Sequence, residues 1–344
     1  MSQVATVLIV DDSALVRKLL TALLSRDPEL RVIGTAADPY EAREKIKALS
    51  PNVITLDVEM PKMDGLTFLR NLMRLRPTPV VMVSSLTEAN ADVTIAALEA
   101  GAVDYVEKPK LGVAEGLHAM ADELCAKVKA AARARVRPRE QPLREIEKRP
   151  MALQTTDRVI AIGASTGGTE AIADILAELP PTSPGVVITQ HMPPTFSKRF
   201  AERLDRSSQL AVTEAIDGAP VLLGHAYVAP GDHHLRLARS GAKYYCRVTQ
   251  DAPINLHRPA VDALFGTVAQ EAGHNALGVI LTGMGADGAV GLGQMKSAGA
   301  HTIAQDRETS VVWGMPGEAV KRGAAGEILP LSAMARRIKE WSQR

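Results

Sequence analysis

A chain of 344 residues exceeds what one hydrophobic core serves well, so two domains are expected. Apolar residues make up 46%, charged residues 23% and net charge is +1, which suits a soluble globular protein and excludes a bulk electrostatic partner such as nucleic acid or an anionic membrane. The two widely spaced cysteines, Cys125 and Cys246, form no disulfide scaffold and point to a reducing compartment.

The amino terminus, "MSQVATVLIVDDSALVRKLL", lacks a basic flank followed by a signal-type apolar core. No apolar stretch approaches the ~20 residues that cross a bilayer. A cytoplasmic protein with no direct membrane insertion is the expectation. From residue 1 to 125, five short apolar runs alternate with helical patterns: "TVLIV", "RVIGTA", "NVITL", "PVVMV" and "VDYVE". Between the first two, Leu15, Leu19, Ala22 and Leu23 mark one predicted helical face. Apolar strands separated by helices predict an α/β fold with a five-stranded parallel sheet of flavodoxin-like type, whose ligands sit at the carboxyl ends of the strands.

At those ends stand Asp11 and Asp12 after the first strand, Asp57 after the third, Ser84 ending the fourth and Lys108 the fifth. Three converging carboxylates repel unless a cation lies among them, and a hard, oxygen-seeking ion such as Mg²⁺ suits such a site. With Lys108 it neutralises phosphoryl oxygens while one carboxylate acts as nucleophile. Taken singly, Asp12 or Ser13 also fits a helix cap and Lys108 a surface turn. "VDDS", "LDVEMPKMDGL", "VSSL" and "VEKP" together resemble the receiver domain of bacterial response regulators. The resemblance implies that a partner histidine kinase supplies the phosphoryl group to Asp57, that Asp11 and Asp12 help Asp57 hold Mg²⁺, and that Ser84, Tyr105 and Lys108 take part in the switch.

Residues 126–156, "AKVKAAARARVRPREQPLREIEKRPMALQTT", begin as a basic helical pattern and continue without apolar periodicity, which reads as a solvated linker. Interrupting acidic residues and the lack of interleaved aromatics disfavour a nucleic-acid arm. Beyond it, residues 157–344 resume the alternation as a second, doubly wound α/β domain. "RVIAIGAS", "GVVITQH" and "LGVILTGMGAD" each run from a buried-type strand into a small or polar turn. The stretch from Gly218 to Gln250 has short alternating runs and turn signals that suggest β-hairpins.

The turn "GASTGG" has the glycine content of a phosphate cradle but not its other residues. A P-loop needs Lys then Ser or Thr after its last glycine, where Thr169 and Glu170 stand; a dinucleotide fingerprint needs glycine where Ser165 stands. Gly163, Ala164, Ser165, Thr166 and Gly167 do fit G-x-S-x-G, a nucleophile on a strand-to-helix turn, although serine at a helix start also fits a cap. Serine needs a base. His191 ends the next strand and Asp287 follows a later one, so parallel neighbouring strands would set the three on one sheet edge as nucleophile, base and orienting carboxylate. His233, His234 and His257 read as loop or hydrogen-bonded histidines, and His225, His274 and His301 as turn or strand-edge residues. No Cys or His cluster has zinc-ligand spacing.

"IGASTGGTEAI", "TQHMPP", "YVAPGDHHL", "LTGMGADGA" and "TIAQDRETSVVWGMP" resemble the catalytic domain of the chemotaxis protein-glutamate methylesterases, the CheB family. The resemblance implies a hydrolase of glutamate γ-methyl esters on chemoreceptors that also converts receptor glutamines to glutamate. Ser165 is the implied nucleophile, His191 the base and Asp287 its partner; Thr166 assists and the Met284 N–H helps to form the oxyanion hole. It further implies that the unphosphorylated receiver shields the esterase site, and that Mg²⁺ serves the receiver alone. A response regulator with a catalytically inactive interaction domain is the alternative, separable by failure of a fluorophosphonate probe to label Ser165. A DNA-binding output would need a basic recognition helix, which the chain lacks.

Overall fold

The computed structural model describes residues 4–85, 87–108, 117–134, 136 and 154–343. The chain divides into two compact units, Met1–Pro142 and Leu143–Arg344. In the first, strands β1 (Ala5–Val10), β2 (Leu30–Ala36), β3 (Val53–Asp57), β4 (Val80–Ser84) and β5 (Asp104–Glu107) alternate with helices α1 (Ala14–Leu24), α2 (Pro39–Leu49), α3 (Gly65–Leu75), α4 (Glu88–Glu99) and α5 (Leu117–Ala132). The sheet order is β2-β1-β3-β4-β5 and every pairing is parallel, as the uninterrupted apolar runs require.

Two expectations for this unit change in detail. Helix α1 buries Leu20, Leu23 and Leu24, while Leu15 is 54% exposed and Ala22 faces solvent. Apolar residues occupy so many positions of this helix that its periodicity admits more than one inward face, and packing on the sheet selects the stripe one residue further on. The basic pattern that opens residues 126–156 is the end of α5, where Ala121, Leu124, Cys125, Val128 and Ala131 recur at helical spacing and are buried. Residues 137–153, where a solvated linker is expected, lie outside the described residues.

The second unit is tied in from its first described residues: the Leu223 N–H donates to the Gln154 carbonyl at 2.9 Å. Its strands are β6 (Val159–Ala164), β7 (Gly185–Gln190), β8 (Ala211–Glu214), β9 (His225–Val228), β10 (His234–Ser240), β11 (Lys243–Thr249), β12 (Ala276–Ile280), β13 (His301–Gln305) and β14 (Glu327–Leu329). Its α-helices are α6 (Gly168–Glu178), α7 (Pro194–Ser207), α8 (Val261–Glu271), α9 (Ala289–Ser297), α10 (Met315–Lys321) and α11 (Leu331–Ser342).

Seven strands form one parallel sheet in the order β14-β13-β12-β6-β7-β9-β8. The Gly218–Gln250 stretch holds one antiparallel hairpin, β10–β11, while β9 joins the main sheet. Short apolar runs fit a hairpin strand and a buried strand of a larger sheet equally, so sequence does not separate them. A core of Val261, Leu264, Phe265 and Val268 from α8, with Leu235 and Leu237 from β10, lies against the sheet; each such side chain contributes roughly 1.5–3 kcal/mol on burial.

Topology places the chemistry. Strand β6 lies between β12 and β7, so chain connections leave it toward both sides, and the crevice beyond the carboxyl ends of β12, β6 and β7 is the switch point of the sheet.

Candidate active site

Ala164 is in register with Gln190, so Ser165 and His191 are the next residues along two adjacent parallel strands. The other side of β6 is closed by the end of β12, where the Ser165 N–H donates to the Thr282 carbonyl at 3.0 Å. Gly283 follows, and a Cβ there would meet Ser165 Cβ at 2.8 Å. Only glycine lets the two turns approach so closely. The helix cap at α6 is Gly167, at φ +75°, not Ser165, which leaves the serine hydroxyl free for another role.

That hydroxyl lies 3.2 Å from His191 Nδ1, and His191 Nε2 lies 2.8 Å from Asp287 Oδ2. An ionised carboxylate only accepts hydrogen bonds, so the neutral ring carries its proton on Nε2 and presents the Nδ1 lone pair to Ser165. The ring is turned the other way round from the serine-protease arrangement, in which Nε2 faces the serine. The logic of the pairing is unchanged.

Asp287 is buried and accepts four hydrogen bonds. Oδ2 takes the Val261 N–H at 2.6 Å as well as His191; Oδ1 takes the Asp262 N–H at 3.1 Å and Asn255 Nδ2 at 2.8 Å. Val261 and Asp262 begin α8, whose own cap residue, Ala260, has no side chain to offer. Asp287 therefore caps α8 from another loop. In return Asp262 Oδ1 accepts from the Gly291 N–H in the first turn of α9, which likewise lacks a side-chain cap. Burial would raise the Asp287 pKa, but the His191 hydrogen bond and charge, Asn255 and the Val261 N–H outweigh it and push it down to about 2. Asp262 has no cationic partner of this kind, and burial leads in raising its pKa.

The Asp287 shift has a signed consequence. A carboxylate whose folded pKa lies below its unfolded value stabilises the fold above the unfolded pKa and loses that contribution as pH falls through the folded one. From 3.8 to about 2 the difference is worth roughly 2 kcal/mol. Urea unfolding of the wild-type chain and an Asp287→Ala variant at pH 5.5 and pH 2.5 should give a stability gap that narrows at the lower pH; a constant gap would contradict the assignment.

Sequence reasoning missed three side chains here. Gln190 Nε2 donates to the Ser165 carbonyl at 2.9 Å and the His191 carbonyl at 3.3 Å, one amide holding both backbones. A polar residue ending an otherwise apolar buried strand was its available signal. Asn255 spans Asp262 and Asp287, with Nδ2 2.7 Å from Asp262 Oδ2. His257, expected as an ordinary loop histidine, stacks on His191 with ring centroids 3.8 Å apart and planes 17° from parallel. Neither loop residue carries a strand-end signal.

Of the supporting residues expected, Met284 is part-buried immediately after Gly283, and the buried Thr166 offers its carbonyl to Thr282 Oγ1 at 2.9 Å. His234 is fully buried and hydrogen-bonded at both nitrogens, to the Ala252 carbonyl and the Ala260 N–H, as a structural histidine should be.

The strand ends of the first unit make a second site. Asp11, Asp12 and Asp57 bring carboxylate oxygens within 4.8 Å of one another. Lys108 Nζ lies 2.6 Å from Asp57 Oδ2 and 3.4 Å from Asp11 Oδ2. Asp11 Oδ2 is buried with the Lys108 ammonium, at 3.4 Å, as its neighbouring charge, and a buried carboxylate oxygen so little engaged suits a hard cation. Burial pushes Asp57 up to about 6 and also raises Asp11, both against the pull of Lys108. Ser13, not Asp12, caps α1, and Asp12 is exposed. Ser84 is buried at the end of β4. Tyr105 lies earlier on β5, paired with Met82, its ring buried with Lys127 Nζ 5.0 Å from its centroid.

Known proteins resemble both units. The CheB methylesterase family profile matches residues 160–338, and that of the response regulator receiver domain residues 7–122. A protein-glutamate methylesterase/protein-glutamine glutaminase of Xanthomonas campestris pv. campestris is 57% identical over 96% of each chain. One from Pseudomonas aeruginosa is 55% identical over 98% of this chain and 97% of its own. Among solved structures, the Thermotoga maritima CheB methylesterase catalytic domain is 40% identical, with a TM-score of 0.52 over 54% of this chain and 98% of that one. No helix among the described residues is long and apolar enough to cross a membrane.

Proposed function

This chain belongs to the CheB family of protein-glutamate methylesterases/glutaminases that carry a response-regulator receiver domain, and from that premise we propose that it hydrolyses glutamate γ-methyl esters on methyl-accepting chemoreceptors, and deamidates receptor glutamines, under control of phosphorylation at Asp57. The observation that carries the chemistry is the unbroken hydrogen-bond relay from Ser165 through His191 to Asp287.

Ser165 Oγ attacks the γ-carbonyl carbon as His191 Nδ1 takes its proton. The N–H of Met284, the residue after Gly283, stabilises the oxyanion, and Thr166 supports that wall. His191 then protonates the departing methoxide, and methanol leaves an acyl-enzyme on Ser165. Water repeats the sequence, giving its proton to His191 and restoring glutamate and the serine. With glutamine the leaving group is ammonia. Asp287 stays ionised throughout, which favours the imidazolium formed at each step.

In the receiver, the chemistry of the donor set suits Mg²⁺ held by Asp11, Asp12 and Asp57, with the phosphoryl group of a histidine kinase as incoming ligand. The ion supplies charge neutralisation for the phosphoryl oxygens when bound. Lys108 takes the same part from the protein side, and Ser84 and Tyr105 relay the change. The scheme is tested by methanol release from methylated receptors with and without a small-molecule phosphodonor. Asp57→Ala should hold release at the unstimulated rate; full stimulation of that variant would refute the control.

A further inference from the structure

We propose that Leu256 is a specificity-determining residue of the esterase site, docking an apolar side chain that flanks the methylated glutamate of the protein substrate. The inference rests on the reading of the chain as a protein-glutamate methylesterase. Ile254 and His257 exchange both backbone hydrogen bonds, at 3.1 and 2.9 Å, closing a two-residue turn on Asn255 and Leu256. Both central residues are left-handed, with φ +53° and +67°. Such a turn favours asparagine followed by glycine. Asn255 conforms. Leu256 stands where glycine is favoured, a position leucine adopts only against steric resistance.

The fold gains nothing visible from that leucine, which is 96% exposed. A single exposed apolar residue is ordinary; one held at a strained backbone position inside a catalytic loop is not. Its neighbours on either side touch the triad: the Asn255 amide holds Asp287 and the His257 ring stacks on His191. Of the large apolar side chains exposed among the described residues of this unit, Ile216, Leu256, Val290 and Ile328, only Leu256 has both chain neighbours in contact with the triad. A protein segment that delivers a glutamyl ester to Ser165 brings its adjoining side chains against this turn. Leu256 offers them an apolar contact, and the same turn ties that contact to the groups that hold His191 and Asp287.

The test uses the full chain, phosphodonor and a methylated chemoreceptor, with Leu256→Asn and Leu256→Met. Asparagine tolerates the left-handed conformation, so its variant should keep or raise the melting temperature while KM rises about tenfold and kcat stays within twofold. Methionine restores the apolar contact and should restore KM. An unchanged KM in the asparagine variant overturns the proposal, as does a fall in kcat at constant KM. Raised turnover without phosphodonor at unchanged KM overturns it too, placing Leu256 in regulation instead. If the wild-type chain itself releases no methanol, the parent reading fails and the inference fails with it.

Discussion

Ser165→Ala should remove methanol release from methylated receptors, lowering kcat by about 10⁴- to 10⁶-fold, the range typical when the nucleophile of a coupled triad is lost. The fold should survive. The Ser165 backbone keeps its bonds to the Thr282 carbonyl, the Gly168 N–H and the Gln190 amide, and only the Oγ contact to His191 goes. Loss of one part-buried hydroxyl interaction costs about 1 kcal/mol, too little to unfold a domain of this size. The variant should also accept phosphate on Asp57 at the wild-type rate, because none of the phosphorylation residues is altered. A fluorophosphonate probe provides an independent readout, labelling wild type and sparing the variant. Methanol release retained above about a hundredth of the wild-type rate would remove Ser165 from the mechanism.

Asp287→Asn should be nearly as damaging, by about 10³- to 10⁴-fold in kcat, for a reason the surroundings make specific. Both carboxylate oxygens face donors: Val261 N–H and His191 on one, Asp262 N–H and Asn255 on the other. An asparagine amide must turn its NH₂ group toward one of these pairs. If it faces His191, the ring can meet it only with a bare Nε2, which moves the ring proton to Nδ1 and leaves Ser165 without a base. If it faces Asp262 and Asn255, donors oppose donors at the start of α8 and the cap weakens. In either orientation the NH₂ opposes an N–H at the start of α8, Val261 in the first case and Asp262 in the second, so the melting temperature should fall in both, and the larger loss of kcat marks the first. Wild-type kcat in this variant would mean that Asp287 only caps the helix.

The parallel strands and the residues at their ends were legible because each motif sits where an apolar run stops. Ser165, His191 and Asp57 follow or end such runs directly, and register then brings the first two side by side. The helix α1 face was not legible, because apolar residues surround it and tertiary packing selects among near-equal stripes. Asn255 and His257 escaped for a different reason. They lie in a loop after the β10–β11 hairpin, far in sequence from Asp287 and His191, and nothing local marks them as partners. The capping of α8 by Asp287 was hidden likewise, since cap preferences are read from the residues just before a helix. The substitute came from a turn more than twenty residues away.

The position of β6 in its sheet bears on synthesis. One flank of the Ser165 turn is β7, which follows within the next thirty residues, but the other is the end of β12, more than a hundred residues later. At roughly 5–20 residues per second of translation, several seconds pass between emergence of the serine and of the wall that supports it. Asp287 comes later still. A ribosome-bound fragment therefore holds Ser165 and His191, the proposed nucleophile and base, without Asp287, and on that proposal no ester is cleaved until the last third of the chain is in place.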